Sequence, residues 1–204
     1  MAKLAVFASG AGSNFAAIAD HLMQPTGHHK HTVVCLVTDK PNAAVVPKAS
    51  SRNIPVVAVQ YSSRSAAEHL IHEELEYYQP DLIALAGYMR LLSPDFVDRY
   101  PGRIVNIHPS LLPRHAGLNA IQQSYIAGDT ELGITIHYVD HGLDTGPVIL
   151  QRSFSRLPED TQADIEGRMH TLEHEHYPRV VHKLLDTIDA QRSGIDAKQT
   201  DRED

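Results

Sequence analysis

Short apolar runs alternate with stretches of helical pattern through the first half of the chain, and this restricts the fold more than any other feature. Lys3–Ala8, Thr32–Val37, Pro55–Val59, Asp81–Ala86 and Ile104–Ile107 are each four to six mostly apolar residues. Runs of that kind suit strands covered on both faces. Between them, Phe15–Met23 reads as a helix with apolar positions at 15, 18, 19 and 22. Asn42–Arg52 reads as a helix that Pro47 must shorten or kink. Ser63–Tyr78 is a third helix, its exposed face assigned to Glu68, Glu73 and Glu76. Strands and helices in this alternation call for crossover connections and a largely parallel sheet.

The second half changes character. Leu118–Ala127 is expected to be helical, and Gly133–Val139 and Val148–Phe154 to be strands. Asp140–Pro147, which joins those two strands, has no helical pattern and is short for a parallel crossover, so an antiparallel partner is expected. Asp160–Ile188 reads as a long helix, capped by Asp160 or Thr161 and interrupted at Tyr177-Pro178. Gln191–Asp204 is polar, without periodicity, and is expected to fray. The fold class is therefore α/β: a Rossmann-like, mostly parallel sheet with an antiparallel strand in the C-terminal half. No internal repeat or linker divides it, so residues 1–190 form one domain followed by a polar tail, 191–204. At 204 residues and 42% hydrophobic, the chain has ample material for a core.

A formal charge of −7 argues against a general nucleic-acid surface, so an anionic substrate must be held by local donors. The single cysteine, Cys35, rules out an intramolecular disulfide framework and sits inside a strand-like run. No apolar segment reaches about 18 residues, and the N-terminus lacks a signal-peptide pattern. The expectation is a cytoplasmic protein with no membrane contact.

Ser9-Gly10-Ala11-Gly12-Ser13-Asn14 breaks the chain between the first strand and the first helix. Backbone N–H groups converge there at a positive helix terminus, glycines allow close approach, and Ser13 and Asn14 add donors. An ordinary glycine-rich turn is the alternative reading. As a dinucleotide fingerprint it fails, because the third glycine position is Phe15, and no P-loop lysine follows. A single phosphate is the better match.

Asn106 and His108 end the fifth apolar run and, two apart in a strand, project to the same face. An amide donor beside an imidazole can stabilise and protonate an oxygen that becomes negative during attack on a carbonyl. An isolated pair of this kind is more often structural. A second polar cluster, Asp140-His141-Gly142-Leu143-Asp144-Thr145-Gly146-Pro147, shifts the balance, because an aspartate from it could orient the imidazole. The 14 histidines also raise a metal reading, chiefly His28-His29-x-His31 and His174-x-His176. The first group sits in a Pro/Gly-containing loop and reads as solvated surface, while helical residues two apart diverge. Glu73-Glu74 and Glu76 read as a solvated helix face. No metal is called for.

Several segments together resemble the glycinamide ribonucleotide formyltransferases of de novo purine biosynthesis. They are Ala8–Phe15, Leu85–Leu92, Asn106–Pro113 and Gly133–Pro147, supported by Thr38–Ala43 and by Glu173-His174 ahead of Tyr177-Pro178. The likeness runs from about residue 3 to 188. It implies the formyltransferase fold and transfer of a formyl group from 10-formyltetrahydrofolate, as co-substrate, to the amine of glycinamide ribonucleotide. By position it implies that Gly12, Ser13 and Asn14 hold the ribonucleotide phosphate and that Glu173 anchors the ribose or amine end. Met89, Arg90, Leu91 and Leu92, with Asp140, His141, Gly142 and Leu143, would line the pterin pocket. Arg64 would meet the glutamate tail of the folate. Asn106, His108 and Asp144 would be catalytic, and Cys35, buried in a strand, makes direct transfer the expected route. His115 receives no role from the resemblance.

The partners implied are small molecules; a homo-oligomer is compatible with the sequence. The nearest rival enzyme is a formyltetrahydrofolate hydrolase, which would carry an additional N-terminal regulatory domain. A methionyl-tRNA formyltransferase would carry a C-terminal tRNA-binding domain and basic surface. A non-catalytic phosphate- or folate-binding module has no need of a general acid. Residues 109–132 and 140–146 are the expected mobile segments.

Overall fold

The structure is a computed structural model that describes residues 1–24 and 31–200, with side chains through Ser193. His28 and His29 lie outside the described residues. Seven strands form one sheet in the order β3-β2-β1-β4-β5-β6-β7. β1 (Lys3–Phe7), β2 (Thr32–Thr38), β3 (Val56–Ala58), β4 (Leu82–Leu85) and β5 (Ile104–His108) run parallel. β6 (Glu131–Tyr138) is antiparallel to β5, and β7 (Val148–Ser155) to β6. The α/β architecture, parallel first and antiparallel at the end, is the one the sequence pattern called for.

The continuous apolar runs are explained by a core on each side of the sheet. In β1, Leu4 and Val6 enter one cluster while Ala5 and Phe7 enter the other. The helix α1 (Ser13–Met23) buries Phe15, Ile18, Ala19 and Leu22, the positions expected from its periodicity. It shares the first cluster with α2 (Val45–Ser50) and with α6 (Gln162–Thr200). α3 (Arg64–Tyr78) and α4 (Pro94–Arg99) cover the opposite face. α5 (Ala120–Ile126) lies between β5 and β6 in the chain.

Several elements differ from their sequence-based expectation. Pro47 does not kink a helix: α2 begins only at Val45, so the proline is in the first turn, where no intrahelical partner exists for an N–H. Glu68 is buried rather than exposed, its carboxylate accepting from the Ser93 N–H (2.8 Å) and hydroxyl (2.5 Å). That contact ties α3 to α4, a helix the periodicity reading missed because it is only six residues long. Its start signal was present: Ser93 caps it, accepting from Phe96 N, and Pro94 follows.

The long helix is not interrupted at Tyr177-Pro178; α6 runs on through Pro178 and beyond Ile188 to Thr200. Ile165, Met169, Tyr177, Val181 and Leu185 form a buried stripe along it, at about 1.5–3 kcal/mol per large apolar side chain. That packing exceeds the roughly 3 kcal/mol cost of an internal proline. The Tyr177 hydroxyl, fully buried, donates to the carbonyls of Leu85 (2.9 Å) and Val105 (3.2 Å), fastening α6 to β4 and β5. Thr161 caps the helix in a reciprocal pair with Asp164.

In this strand order the connections leave β1 and β4 in opposite directions, which opens a crevice beyond the carboxyl ends of the parallel strands. The glycine turn, the Ala86–Leu92 segment and the end of β5 all emerge there.

Candidate active site

One cleft of about 810 Å³ occupies that crevice. Its walls include Gly12–Asn14 after β1, Met89–Leu92 after β4, Asn106 and His108 at the end of β5, Gly142–Asp144, and Glu173 from α6. Segments about 160 residues apart in sequence thus meet in one pocket of a size that takes small organic ligands.

At its centre, Asp144 binds His108, the partner expected of it, and also Asn106. One carboxylate oxygen, Oδ2, lies 3.2 Å from His108 Nδ1 and accepts the Gly117 N–H at 2.9 Å. The other accepts from Asn106 Nδ2 at 3.3 Å. Burial alone would raise the Asp144 carboxyl, but the neighbouring His137 imidazole, the Gly117 N–H and the His108 imidazole overcome it and hold the carboxyl below its ordinary range. Asp144 has φ +56°, a left-handed conformation that aspartate tolerates better than most residues.

His108 is buried, and its other nitrogen, Nε2, bonds to the His115 carbonyl at 2.9 Å. Both ring nitrogens therefore face acceptors. The segment His115–Gly117 holds His108 and Asp144 at once, so Nε2 is engaged by the loop rather than open to the cleft.

His137 was not found from the sequence. It stands directly opposite Asn106 in the β5–β6 register and is buried. Its Nδ1–H donates to the Tyr138 carbonyl (2.8 Å), which leaves Nε2 as acceptor for Asn106 Nδ2 at 3.3 Å. The available signal was the antiparallel pairing of β6, which places its inward residues across from Asn106 and His108. His170 was also missed; it lines the cleft near Glu173 and stacks on His174 at 6.2 Å. His176 takes no part in that stack, consistent with helical residues two apart diverging.

At the other end of the cleft, Gly12 is the N-cap of α1 at φ +72°. A Cβ there would meet Val45 Cγ2 at 2.4 Å and Val45 Cα at 2.9 Å. Asn14 Nδ2 donates to Glu173 Oε2 at 3.0 Å, while Asn14 Oδ1 is buried without a partner among the described residues. Burial raises the Glu173 carboxyl above its ordinary range, opposed by the Asn14 bond and by His170. An acceptor awaiting a donor and a carboxyl poised to keep a proton suit a hydroxylated ligand.

Gly12→Ala is expected to strain the turn and clash with Val45. The cost is about 2–4 kcal/mol of stability, a fall of roughly 5–15 °C in Tm. Thermal melting of the variant checks this, and an unchanged Tm would show that the turn is not under the constraint described.

Two of the expected folate contacts lie outside the cleft. Arg64 lines a separate groove of about 330 Å³ between α3 and α4, and His141 points to Asp98 (Nε2–Oδ1 2.8 Å). The reason is local: Arg64 opens α3 and neighbours Tyr61, whose ring carries the Arg90 guanidinium at 4.4 Å, so Tyr61 stands between the two arginines. Arg90 lines the cleft and pairs with buried Asp39 (2.7 Å). Asp140 accepts from Gly142 N and Thr145 Oγ1 and so shapes the loop that carries Asp144. Met89, Leu91 and Leu143 present half-exposed apolar side chains, and Leu92 packs into the core beneath them. Cys35 is buried in β2, and burial, with Glu74 nearby, pushes its thiol up to about 12, which removes it as a nucleophile.

A profile of the formyl transferase family matches residues 2–181. The phosphoribosylglycinamide formyltransferase of Bacillus subtilis is 46% identical over 188 residues, 91% of this chain and 95% of that protein. The enzyme of the same name from Escherichia coli is 40% identical over 90% of this chain and 87% of its own length. Glycinamide ribonucleotide transformylase 1 from Geobacillus kaustophilus superposes with a TM-score of 0.86 at 48% identity, covering 91% of this chain and 99% of that one. Fold, cleft and sequence agree: the chain belongs to the phosphoribosylglycinamide formyltransferases of the formyl transferase family.

Proposed function

We infer that this chain transfers a formyl group from 10-formyltetrahydrofolate to the amine of glycinamide ribonucleotide. The observation that carries this reading is the meeting of Asn106, His108 and Asp144 with the glycine turn and Glu173 in one cleft. A single anion matches the turn, because the first-turn N–H groups of α1 have no intrahelical partners. Glu173 and Asn14 then take the ribose end, and the apolar rim of Met89, Leu91 and Leu143 takes the flat pterin. Arg90, and beyond Tyr61 also Arg64, stand along the path a folate's anionic tail would follow out of the cleft. No helix among the described residues is long and apolar enough to cross a membrane.

The amine attacks the formyl carbon, and the formyl oxygen takes up negative charge. Asn106 donates a hydrogen bond to that oxygen, and His108 supplies a second donor from Nε2 once the His115 carbonyl releases it. The attacking nitrogen must lose a proton, and the departing folate nitrogen must gain one. Asp144, ionised and beside His108, accepts the first, directly or through one water, and His108 delivers the second. No bond to the protein forms at any stage. Release of Nε2 requires His115–Gly117 to move, so folate binding and loop displacement are coupled.

Glu173→Gln separates binding from stability. The folded state holds the Glu173 proton more tightly than the unfolded chain, so stability falls as pH rises from the unfolded value through the raised folded one. Glutamine removes that dependence, and the Tm at neutral pH is expected to rise. The ribonucleotide KM is expected to rise about tenfold, for a lost hydrogen bond to a charged or acidic group. A lower Tm with an unchanged KM would reverse the assignment.

The deciding assay measures deformylation of 10-formyltetrahydrofolate with and without glycinamide ribonucleotide. Turnover only with the ribonucleotide is the expected result. Equal turnover with water alone would make the chain a hydrolase, and binding of both ligands without turnover would make it a carrier.

A further inference from the structure

At the opposite end of the sheet from the cleft, the C-terminal half of α6 brings three imidazoles together from three parts of the chain. The Met1 ammonium pairs there with Asp189, and Arg192 with Asp81. Beside them, His182 of α6 faces His21 of α1 and His31 just ahead of β2, with ring centroids 5.3 and 5.4 Å away. His21 Nε2 lies 3.1 Å from His182 Nδ1. Asp186 approaches His31 Nε2 with Oδ1 (3.1 Å) and His182 Nε2 with Oδ2 (3.8 Å).

Four potential ligands crowd this corner, and counting protons sorts them. The Ala2 N–H donates to His31 Nδ1 at 3.2 Å. His31 therefore carries its proton on Nε2, directed at Asp186, and cannot offer that nitrogen to an ion without forfeiting the buried Ala2 bond. This counts against the group His31, His182 and Asp186, although its ligand atoms lie within 4.8 Å of one another. His182 differs. The Asp186 carboxylate, 3.8 Å from its Nε2 and so beyond hydrogen-bond reach, favours the proton on that side by charge, which leaves an Nδ1 lone pair 3.1 Å from His21 Nε2. The 3.1 Å between those two nitrogens is close to the roughly 3.3 Å that separates neighbouring donors around a tetrahedral ion at 2.0–2.1 Å.

We propose that His21 Nε2 and His182 Nδ1 form a binding site for a borderline divalent metal ion, with Asp186 orienting His182 from behind. The ion sits to one side of the line between the two nitrogens, as bonds of about 2.0–2.1 Å across 3.1 Å require, and the rings turn to meet it; His21 moves its proton from Nε2 to Nδ1, so none is released. Water completes the shell, since His182 is 29% exposed and His21 only half-buried. The carboxylate behind a ligating imidazole is a common device for fixing its tautomer. Burial, with His182 and Arg179 nearby, lowers the His21 pKa, which favours the neutral ring that ligation needs. Arg179 is the opposing charge, and Glu175 pairs with it at 3.2 Å. The ion would join α1 to α6 and has no part in formyl transfer.

The test is titration of the chelator-treated, full-length protein with Co2+, followed by visible absorption, then displacement by Zn2+. The expected result is saturation at one ion, with a higher Tm in its presence. His21→Ala and His182→Ala should each weaken binding at least about tenfold, and Asp186→Asn by about 10–100-fold. His31→Gln should leave affinity unchanged. Metal-free melting of each variant, with His21→Gln as a second substitution of similar volume, separates lost ligation from lost folding. Undiminished binding in His21→Ala would overturn the proposal, as would binding lost in His31→Gln but kept in His21→Ala. Binding that vanishes only when His28 and His29 are replaced would also overturn it.

Discussion

Asp144→Asn is expected to lower kcat by about 10²–10⁴-fold, the range for loss of positioned acid–base catalysis. The substitution keeps the shape of the side chain but not its role. Three donors converge on the two carboxylate oxygens: His108 Nδ1, the Gly117 N–H and Asn106 Nδ2. An amide offers only one acceptor, so its NH2 must face at least one donor. The ribonucleotide KM should change little, because the glycine turn and Glu173 lie at the far end of the cleft. Since the carboxyl is held below its ordinary range, it is ionised throughout neutral pH in the wild-type protein. The stability that Asp144 contributes is present above its unfolded pKa and lost as pH falls through the depressed folded one. Acid should therefore narrow the gap in Tm between the two proteins. Steady-state rates across pH decide the matter: a variant within tenfold of wild type would remove Asp144 from the proton path.

Much of this was legible in the sequence because it depends on local rules. The two-residue period of a strand put Asn106 and His108 on one face, and the absence of a helix in Asp140–Pro147 announced the antiparallel ending. The glycine turn identified itself by its place between β1 and α1. What escaped the sequence depends on contacts between distant segments. His137 matters only because β6 pairs with β5 in the register that sets it opposite Asn106. Glu68 looked solvated until Ser93 was placed against it. Pro178 looked like a break because a proline's local cost is readable, whereas the buried stripe that offsets it belongs to the sheet beneath. Likewise no local rule foretold that the His115 carbonyl would hold His108 Nε2.

Asn106→Ala is expected to lower kcat by about 100–1000-fold, as for removal of one oxyanion donor. The arrangement adds a condition. Both hydrogens of the Asn106 amide are already committed, one to His137 Nε2 and one to Asp144 Oδ1, each at a long 3.3 Å. His137, whose proton is held by the Tyr138 carbonyl, fixes which way the amide faces, since only the NH2 satisfies both it and the carboxylate. To serve a developing oxyanion, the amide must give up one of these bonds, and the weaker geometry of both makes that exchange cheap. The donor is thus aimed in advance by two acceptors that lose little when it turns to a third. Asn106→Asp distinguishes this from mere space-filling. It has the same shape, but it sets a second carboxylate against Asp144 and presents no donor to the oxyanion, so it should be at least as impaired as the alanine variant. Near-normal turnover in Asn106→Asp would mean that this side chain only fills space beside the reacting carbonyl.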